Sequence, residues 1–551
     1  MQKEWIVTLH NKEDLDSFYE DMETEGGALY IPGREVPVVH RRTISRNTHY
    51  MLTNEEAKEL QNDPRVWGCD LVELIDLTTK PQGWSVVNQK FSKDWFTDTT
   101  DFNWGLLRHT EAANRSNWGD NGVANVNSDL TVTASGKNVD VVIVDGHMDP
   151  AHPEFAVNSD GTGGSRVVQF NWYSLSSALG YGSNGTYTYD RSGSYTNVAD
   201  EADNNHGCHC AGTVAGNTQG WARQATIYNI SPYGSNPSNL SSARLWDYVR
   251  EWHNTKAINP ATGRRNPTIT NNSYGSSVPV GSAADNFGNI RSITYRGTEF
   301  SPGRDLTTAE LRARGCYAPS LEMDIPNWFT SRQADQQDAI DDGIIIVCSA
   351  GNDSWKTVNE SDQDWNNTYD VQYYGFDQTY YLNRGTGSAA GFNANINVGA
   401  TSNNVNEVKA TFSNCGNQVD IYAAGEAIQS SLHSGGVNDA RNSSYQLGKY
   451  QGTSMSGPQV AGVVALLAES WPNLTQQEAE DWLLNNATMN AMYDSGTDDA
   501  YDRNSLQGAA NKYLRWYNQR PIDGNTLPKQ NFKTRPASGK VYPRPNIRRR
   551  G

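Results

Sequence analysis

Apolar positions along the chain change period several times, and the changes mark out its organisation. EWIVTLH, from Glu4, alternates apolar and polar residues as a half-buried strand does. In DLDSFYEDMETEG the apolar Leu15, Phe18, Tyr19 and Met22 then fall at i, i+3, i+4 and i+7, one face of a helix. THYML predicts a second strand. Thr53 and Glu56 stand at the spacing of a capping box ahead of a short helix, NEEAKELQND, and VWGCDLVELI predicts the strand that closes the sheet. Residues 1–75 therefore read as a small α+β unit. Residues 76–100 keep neither period and contain Pro81 and Gly83, which predicts a linker.

From residue 101 to 514 short continuous apolar runs alternate with helical patterns, which predicts an α/β domain with a mostly parallel sheet covered by helices on both faces. KNVDVVIVD and GIIIVCS are the clearest strands, and SGPQVAGVVALLAESW is the clearest helix. Polar stretches at 156–204, 276–335 and 353–390, rich in Asn, Gly, Ser and Tyr, read as surface insertions. Residues 515–551 carry ten Lys and Arg against the single Asp523, with five prolines, the composition of a basic tail.

A length of 551 residues exceeds what one core usually organises, in agreement with a large domain and a smaller companion. The net charge of −17 argues against nucleic acid or an anionic membrane as the main partner, although the basic tail suits an acidic one. No apolar run approaches the roughly 20 residues of a transmembrane helix. Met1 is followed by Gln2, Lys3 and Glu4 without the pattern of a secretory signal. The six cysteines are sparse and scattered, which predicts reduced thiols or small core residues.

Three segments carry candidate chemistry. Asp145 ends the apolar strand VVIV, where open parallel sheets place functional groups. His206 opens the small-residue helix of HGCHCAGTVAG. Ser454 opens the helix of GTSMSGPQVAG, whose N-terminal N–H groups can face a substrate. Each alone has an ordinary structural use, as a cap or a packed side chain. Taken together and in this order, DGHMDPAHPEF, HGCHCAGTVAG, SAGND and GTSMSGPQVAG resemble the Asp, His, oxyanion-hole Asn and Ser motifs of subtilisin-like serine peptidases. FNWGLL resembles the start of such a catalytic domain, and ATFSNCGNQVDIYAAG the strand pair before the Ser helix. Residues 1–75 resemble the family's inhibitory, ferredoxin-like propeptide.

The resemblance implies a serine endopeptidase with Ser454 as nucleophile, His206 as general base and acid, Asp145 as the carboxylate that orients the ring, and Asn352 as oxyanion donor. It implies substrate binding along Ser273, Tyr274 and Gly275, a protein or peptide substrate, and the chain's own propeptide as inhibitor. No cofactor is required; Glu154 matches an Asp that helps bind calcium in some relatives, which allows calcium there. His206, Cys208, His209 and Cys210 suggest a metal site only superficially, because residues i and i+2 of a helix point to different sides. His209 is expected to pack. His147 stands where the family has Gly, and Asp353 beside Asn352 offers a bias toward basic side chains. GTSMSG is not G-x-S-x-G, and the order Asp, His, Ser excludes an α/β-hydrolase. The competing class is a structural or assembly protein that uses the peptidase fold as a scaffold. The Asn-rich, insertion-laden style resembles peptidase-domain proteins of tailed bacteriophage particles, which implies the host cytoplasm or the virion.

Overall fold

The computed structural model describes residues 2–30, 34–73, 75, 79–81, 85–86, 103–110, 132, 134–181, 205–231, 243–282, 290–300, 322–373, 376–385, 394–403, 406–497, 502 and 504–516. The tail beyond residue 516, and with it its expected acidic partner, lies outside them, as does Cys316.

At the N-terminus the strands Val38–Arg41, Asn47–Leu52, Lys3–Leu9 and Val66–Leu71 form an antiparallel sheet in that spatial order. Helix α1 (Leu15–Glu23) buries Phe18 and Met22 from its apolar stripe. Helix α2 (Asn54–Leu60) starts on the expected box: Thr53 Oγ1 accepts from Glu56 N–H, and Glu56 accepts from Thr53 N–H. Val38–Arg41 is a strand that periodicity did not reveal, because its residues are partly to fully exposed.

The body is built on an eight-stranded sheet. Its order is Thr488–Met489, Lys512–Tyr513, Ile421–Ala424, Ile396–Thr401, Ile345–Ser349, Thr268–Asn272, Asp140–Val144 and Thr226–Ile230. All neighbours are parallel except the first pair. Around it lie α3 (Trp104–Arg108), α4 (His206–Ala215), α5 (Leu245–Thr255), α6 (Thr330–Asp341), α7 (Thr453–Ser470) and α8 (Gln476–Asn486). The central strands are buried along their whole length, which is why they read as continuous apolar runs. The chain runs from Asp140–Val144 to Thr226–Ile230 on one side, then returns to Thr268–Asn272 on the other. The strand order therefore reverses beside Asp140–Val144, and a crevice opens at the carboxyl ends there.

Three expectations need amendment. The described parts of the expected surface insertions at 276–335 and 353–390 include a sheet of their own, formed by Thr298–Phe300, Ile290–Tyr295, Thr368–Tyr373 and Phe376–Tyr381; residues 182–204 and 301–321 lie outside the described residues. Ile290, Ile293, Tyr369, Val371 and Tyr380 join one apolar cluster with Trp5, Ile6, Phe18, Tyr50 and Leu71 of the N-terminal unit. The stretch read as a linker also pairs with the body. Thr79–Pro81 lies antiparallel on Tyr274–Ser276, and Ser85–Val86 on Tyr450–Gln451. Their side-chain pattern carries no period because backbone hydrogen bonds to edge strands need none. At the other end, Trp516 belongs to the main core and packs at a tilt against Trp482, so the body extends past the expected boundary at 514. Cys69, Cys208, Cys210, Cys348 and Cys415 are buried, as expected of small core residues.

Candidate active site

Asp145 follows the Asp140–Val144 strand at the order reversal and is fully buried. Its Oδ1 accepts from Gly146 N–H at 2.7 Å and from His206 Nδ1–H at 2.7 Å. With the proton held on Nδ1, Nε2 is left as the basic nitrogen of the ring. The approach depends on Gly207: a Cβ there would stand 2.0 Å from Gly146 O, so only glycine lets α4 start against the turn after Asp145.

Ser454 is the second residue of α7, a helix packed on α4 and on the central strands. Pro458 lies four residues on and has no N–H to give to Ser454 O. That carbonyl instead accepts from Cys210 Sγ at 3.3 Å and Ser273 Oγ at 3.4 Å, which ties the start of α7 to α4 and to the neighbouring strand end. Ser454 Oγ lies 3.5 Å from Ser273 O.

Asn352 sits in the turn after Ile345–Ser349. Gly351 has φ 106°, a conformation that favours glycine, and its N–H donates to Thr453 Oγ1 at 3.1 Å. The Asn352 Oδ1 accepts from Thr453 N–H and Oγ1–H, both at 2.8 Å. With its oxygen engaged by the residue before Ser454, the amide keeps its NH2 group as its donor end.

The fold thus gathers Asp145, His206, Asn352 and Ser454 from four separated segments around one sheet end. Ser273, Tyr274 and Gly275 follow the adjacent strand, and Tyr274 and Gly275 carry the paired Pro81 and Lys80. His209 packs as expected: Nε2 bonds Ile428 O at 2.8 Å, the ring stacks on Tyr450 at 4.7 Å, and burial lowers its pKa to about 3. His147 is buried. Asp353 is tied to Asn414 through its N–H and its carboxylate.

The metal question turns on two places. Asp145, His206 and Cys210 bring one ligand atom each within 4.8 Å of one another, a grouping at i and i+4 that the i, i+2 argument did not consider. His206 Nδ1 is already engaged by Asp145, so the grouping is first a hydrogen-bonded pair with a thiol 4.0 Å away. At Glu154, Oε2 accepts from the N–H groups of Thr218 and Gln219, and Oε1 from Thr218 Oγ1–H and the Arg441 guanidinium. The four acceptor sites of the carboxylate are filled, and a covalently attached cation stands where calcium was allowed. The residues present at Glu154 do not fit calcium.

Sequence reasoning missed Gly207 and Thr453, and the parts that Cys210 and Pro458 play at the start of α7. The clue for each was adjacency to a motif residue, but their partners lie far away in the chain.

An α/β fold with an Asp–His pair and a helix-borne Ser at the reversal point defines a hydrolase-like site, and comparison with known proteins gives the lineage. The Subtilase family profile matches residues 136–511, and the chain belongs to that family. An extracellular serine proteinase of Thermus sp. (strain Rt41A) is 25% identical over 53% of this chain and 48% of its own length. A subtilisin of Bacillus pumilus is 29% identical over 31% of this chain and 52% of its own. The chain spans about half the length, or less, of the curated relatives it matches first. Among solved structures, fervidolysin from Fervidobacterium pennivorans, a keratinolytic enzyme related to subtilisin, is 16% identical with a TM-score of 0.47, over 93% of this chain and 60% of that one. A cold-adapted subtilisin-like serine proteinase is 19% identical with a TM-score of 0.41, over 75% of this chain and 97% of that one.

Proposed function

We propose that the protein is a serine endopeptidase that cuts protein or peptide chains with Ser454 as nucleophile, and that it is made as a self-processing precursor. The observation that carries this reading is the buried Asp145–His206 hydrogen bond of 2.7 Å at the same sheet end as Ser454 and the oriented amide of Asn352. His206 Nε2 takes the Ser454 proton as Oγ attacks the peptide carbonyl, and Asp145 stabilises the resulting imidazolium. The Asn352 NH2 and the Ser454 N–H donate to the oxyanion, and His206 returns the proton to the leaving amine. Water then repeats the sequence on the acyl-enzyme. Extended substrate pairs along Ser273, Tyr274 and Gly275.

The strand Thr79–Pro81 already lies on that edge, which supports the chain's own N-terminal segment as a product-like inhibitor. Cleavage falls within residues 76–100. An active-site-directed fluorophosphonate should label the wild type and leave Ser454→Ala unlabelled. Intact mass should show cleavage within 76–100 in the wild type alone. Equal labelling of both proteins would sink the mechanism, and labelling without any cleavage would remove the precursor step. A pure scaffold would neither label nor hydrolyse peptide.

A further inference from the structure

The contact between the N-terminal unit and the body is sealed by buried charge. The Arg42 side chain is wholly buried; Nε donates to Asp247 Oδ2 at 2.7 Å, and Nη1 pairs with Asp335 Oδ2 at 2.9 Å. Asp335 Oδ1 also accepts from Ser45 Oγ at 2.9 Å and Asn47 Nδ2 at 3.0 Å. Around this centre Arg46 pairs with Asp338 at 2.5 Å, Glu4 takes Arg244 at 2.9 Å, and Arg250 donates to Ile44 O at 2.9 Å.

Two further features bind the same face. Helix α6 has Phe329 at its N-cap, without a side-chain cap, and Asp70 of the N-terminal unit accepts from Ser331 N–H at 2.7 Å in its place. A Cβ on Gly68 would stand 2.6 Å from Thr330 Oγ1, so strand and helix meet at a distance set by glycine. The apolar residues of both sides then form one continuous cluster. Departure of the unit would strip Asp247 and Asp335 of their Arg42 partner, uncap α6 and expose that cluster. The segment that lies on the proposed substrate edge is held differently: Thr79–Pro81 and Ser85–Val86 pair only through short backbone ladders, with Tyr274–Ser276 and Tyr450–Gln451.

We propose that the N-terminal unit remains as a permanent second chain after its connection to the body is cut, and that the cleft opens by release of the strand Thr79–Pro81 alone. This rests on the self-processing reading above. The cut hydrolyses one peptide bond with one water, leaving a carboxylate on the first chain and an amine on the second. Neither new terminus belongs to the charged face.

The test separates retention from self-processing. A recognition sequence for an added site-specific protease is placed between residues 87 and 100 of full-length Ser454→Ala protein, and the cut product is run on gel filtration in about 1 M NaCl, where charges are screened beyond about 3 Å. The expected result is equimolar co-elution of both chains; elution of the body alone overturns the proposal. In self-cut wild type, peptidase activity should coincide with the peak that holds both chains, and activity confined to a peak lacking the first chain overturns it equally. A wild type that never cuts itself refutes self-processing while the Ser454→Ala experiment still decides retention. Arg42→Ala should release the first chain at least tenfold faster after cutting. If that variant does not fold, Arg46→Ala, which removes the outer pair with Asp338, should give a smaller acceleration. Unchanged retention in the variant that folds would overturn the role given to the charges.

Discussion

The central sheet and the face beneath the N-terminal unit are both buried, yet different forces hold them. Under α7 the sheet buries Val141, Ile143, Ile345, Val347, Ile396 and Val398 among other apolar side chains. Under the N-terminal unit the centre is a guanidinium between two carboxylates, ringed by Ser45, Asn47 and Tyr181. Apolar burial loses stability in proportion to the area removed. A buried ion set gives little net stability when complete and fails sharply when one member is missing, because the remainder is left charged and dry. The site sits on the first kind of support, and the N-terminal unit adds the second to its apolar contact with the body.

The largest expected effect separates chemistry from both supports. Ser454→Ala should lower peptide hydrolysis by at least about 10³-fold, with no more than about 1 kcal/mol change in unfolding free energy. Retained turnover would place the nucleophile elsewhere. Arg42→Ala should do the reverse, costing about 3–5 kcal/mol in denaturant unfolding by leaving Asp247 and Asp335 unpaired. Ile143→Val in the sheet is the matched control, expected to cost about 1 kcal/mol. If the control costs as much as Arg42→Ala, the contrast between the two regions breaks down. Asn352→Ala should reduce kcat by about 10²–10³ with little change in KM, since the amide is needed once charge develops on the oxygen. A change in KM alone would assign it to ground-state binding.

Acid sharpens the comparison further. Burial, with Arg244 and Arg42 nearby, lowers the His40 pKa from 6.5 to about 4. A histidine held neutral in the fold contributes fully above pH 6.5 and loses that contribution as pH falls toward 4. His40→Gln should therefore flatten the fall in stability between pH 6.5 and 4, as followed by thermal melts across that range; an unchanged slope would exclude His40 as its source. The smallest effect is expected at the C-terminus. Deletion of residues 517–551 should leave small-peptide turnover unchanged and weaken only salt-sensitive association with an acidic partner. Loss of folded protein would show that the deleted residues pack.

Local pattern carried a large part of this molecule. The helix of Leu15, Phe18, Tyr19 and Met22, the capping box at Thr53 and the sheet runs at Val141 to Val144 are legible because period and capping act within a few residues of one another. The four motif residues are legible because each is embedded in a segment whose neighbours serve it, as Gly207 serves His206. Thr79–Pro81 was not legible, since an edge pairing formed by backbone groups leaves no mark on side-chain order.

The sequence by itself therefore determined the strongly patterned elements, the family and the identity of the four candidate groups, all of which depend on short-range patterns. Tertiary structure alone decided that Arg42 meets Asp247 across 205 positions of chain, that Arg441 meets Glu154 across 287, and that Ser454 O meets Cys210. The physical reason is that a charge or a carbonyl denied a local partner takes one from whatever surface packing brings within reach, and that surface is set by the whole fold.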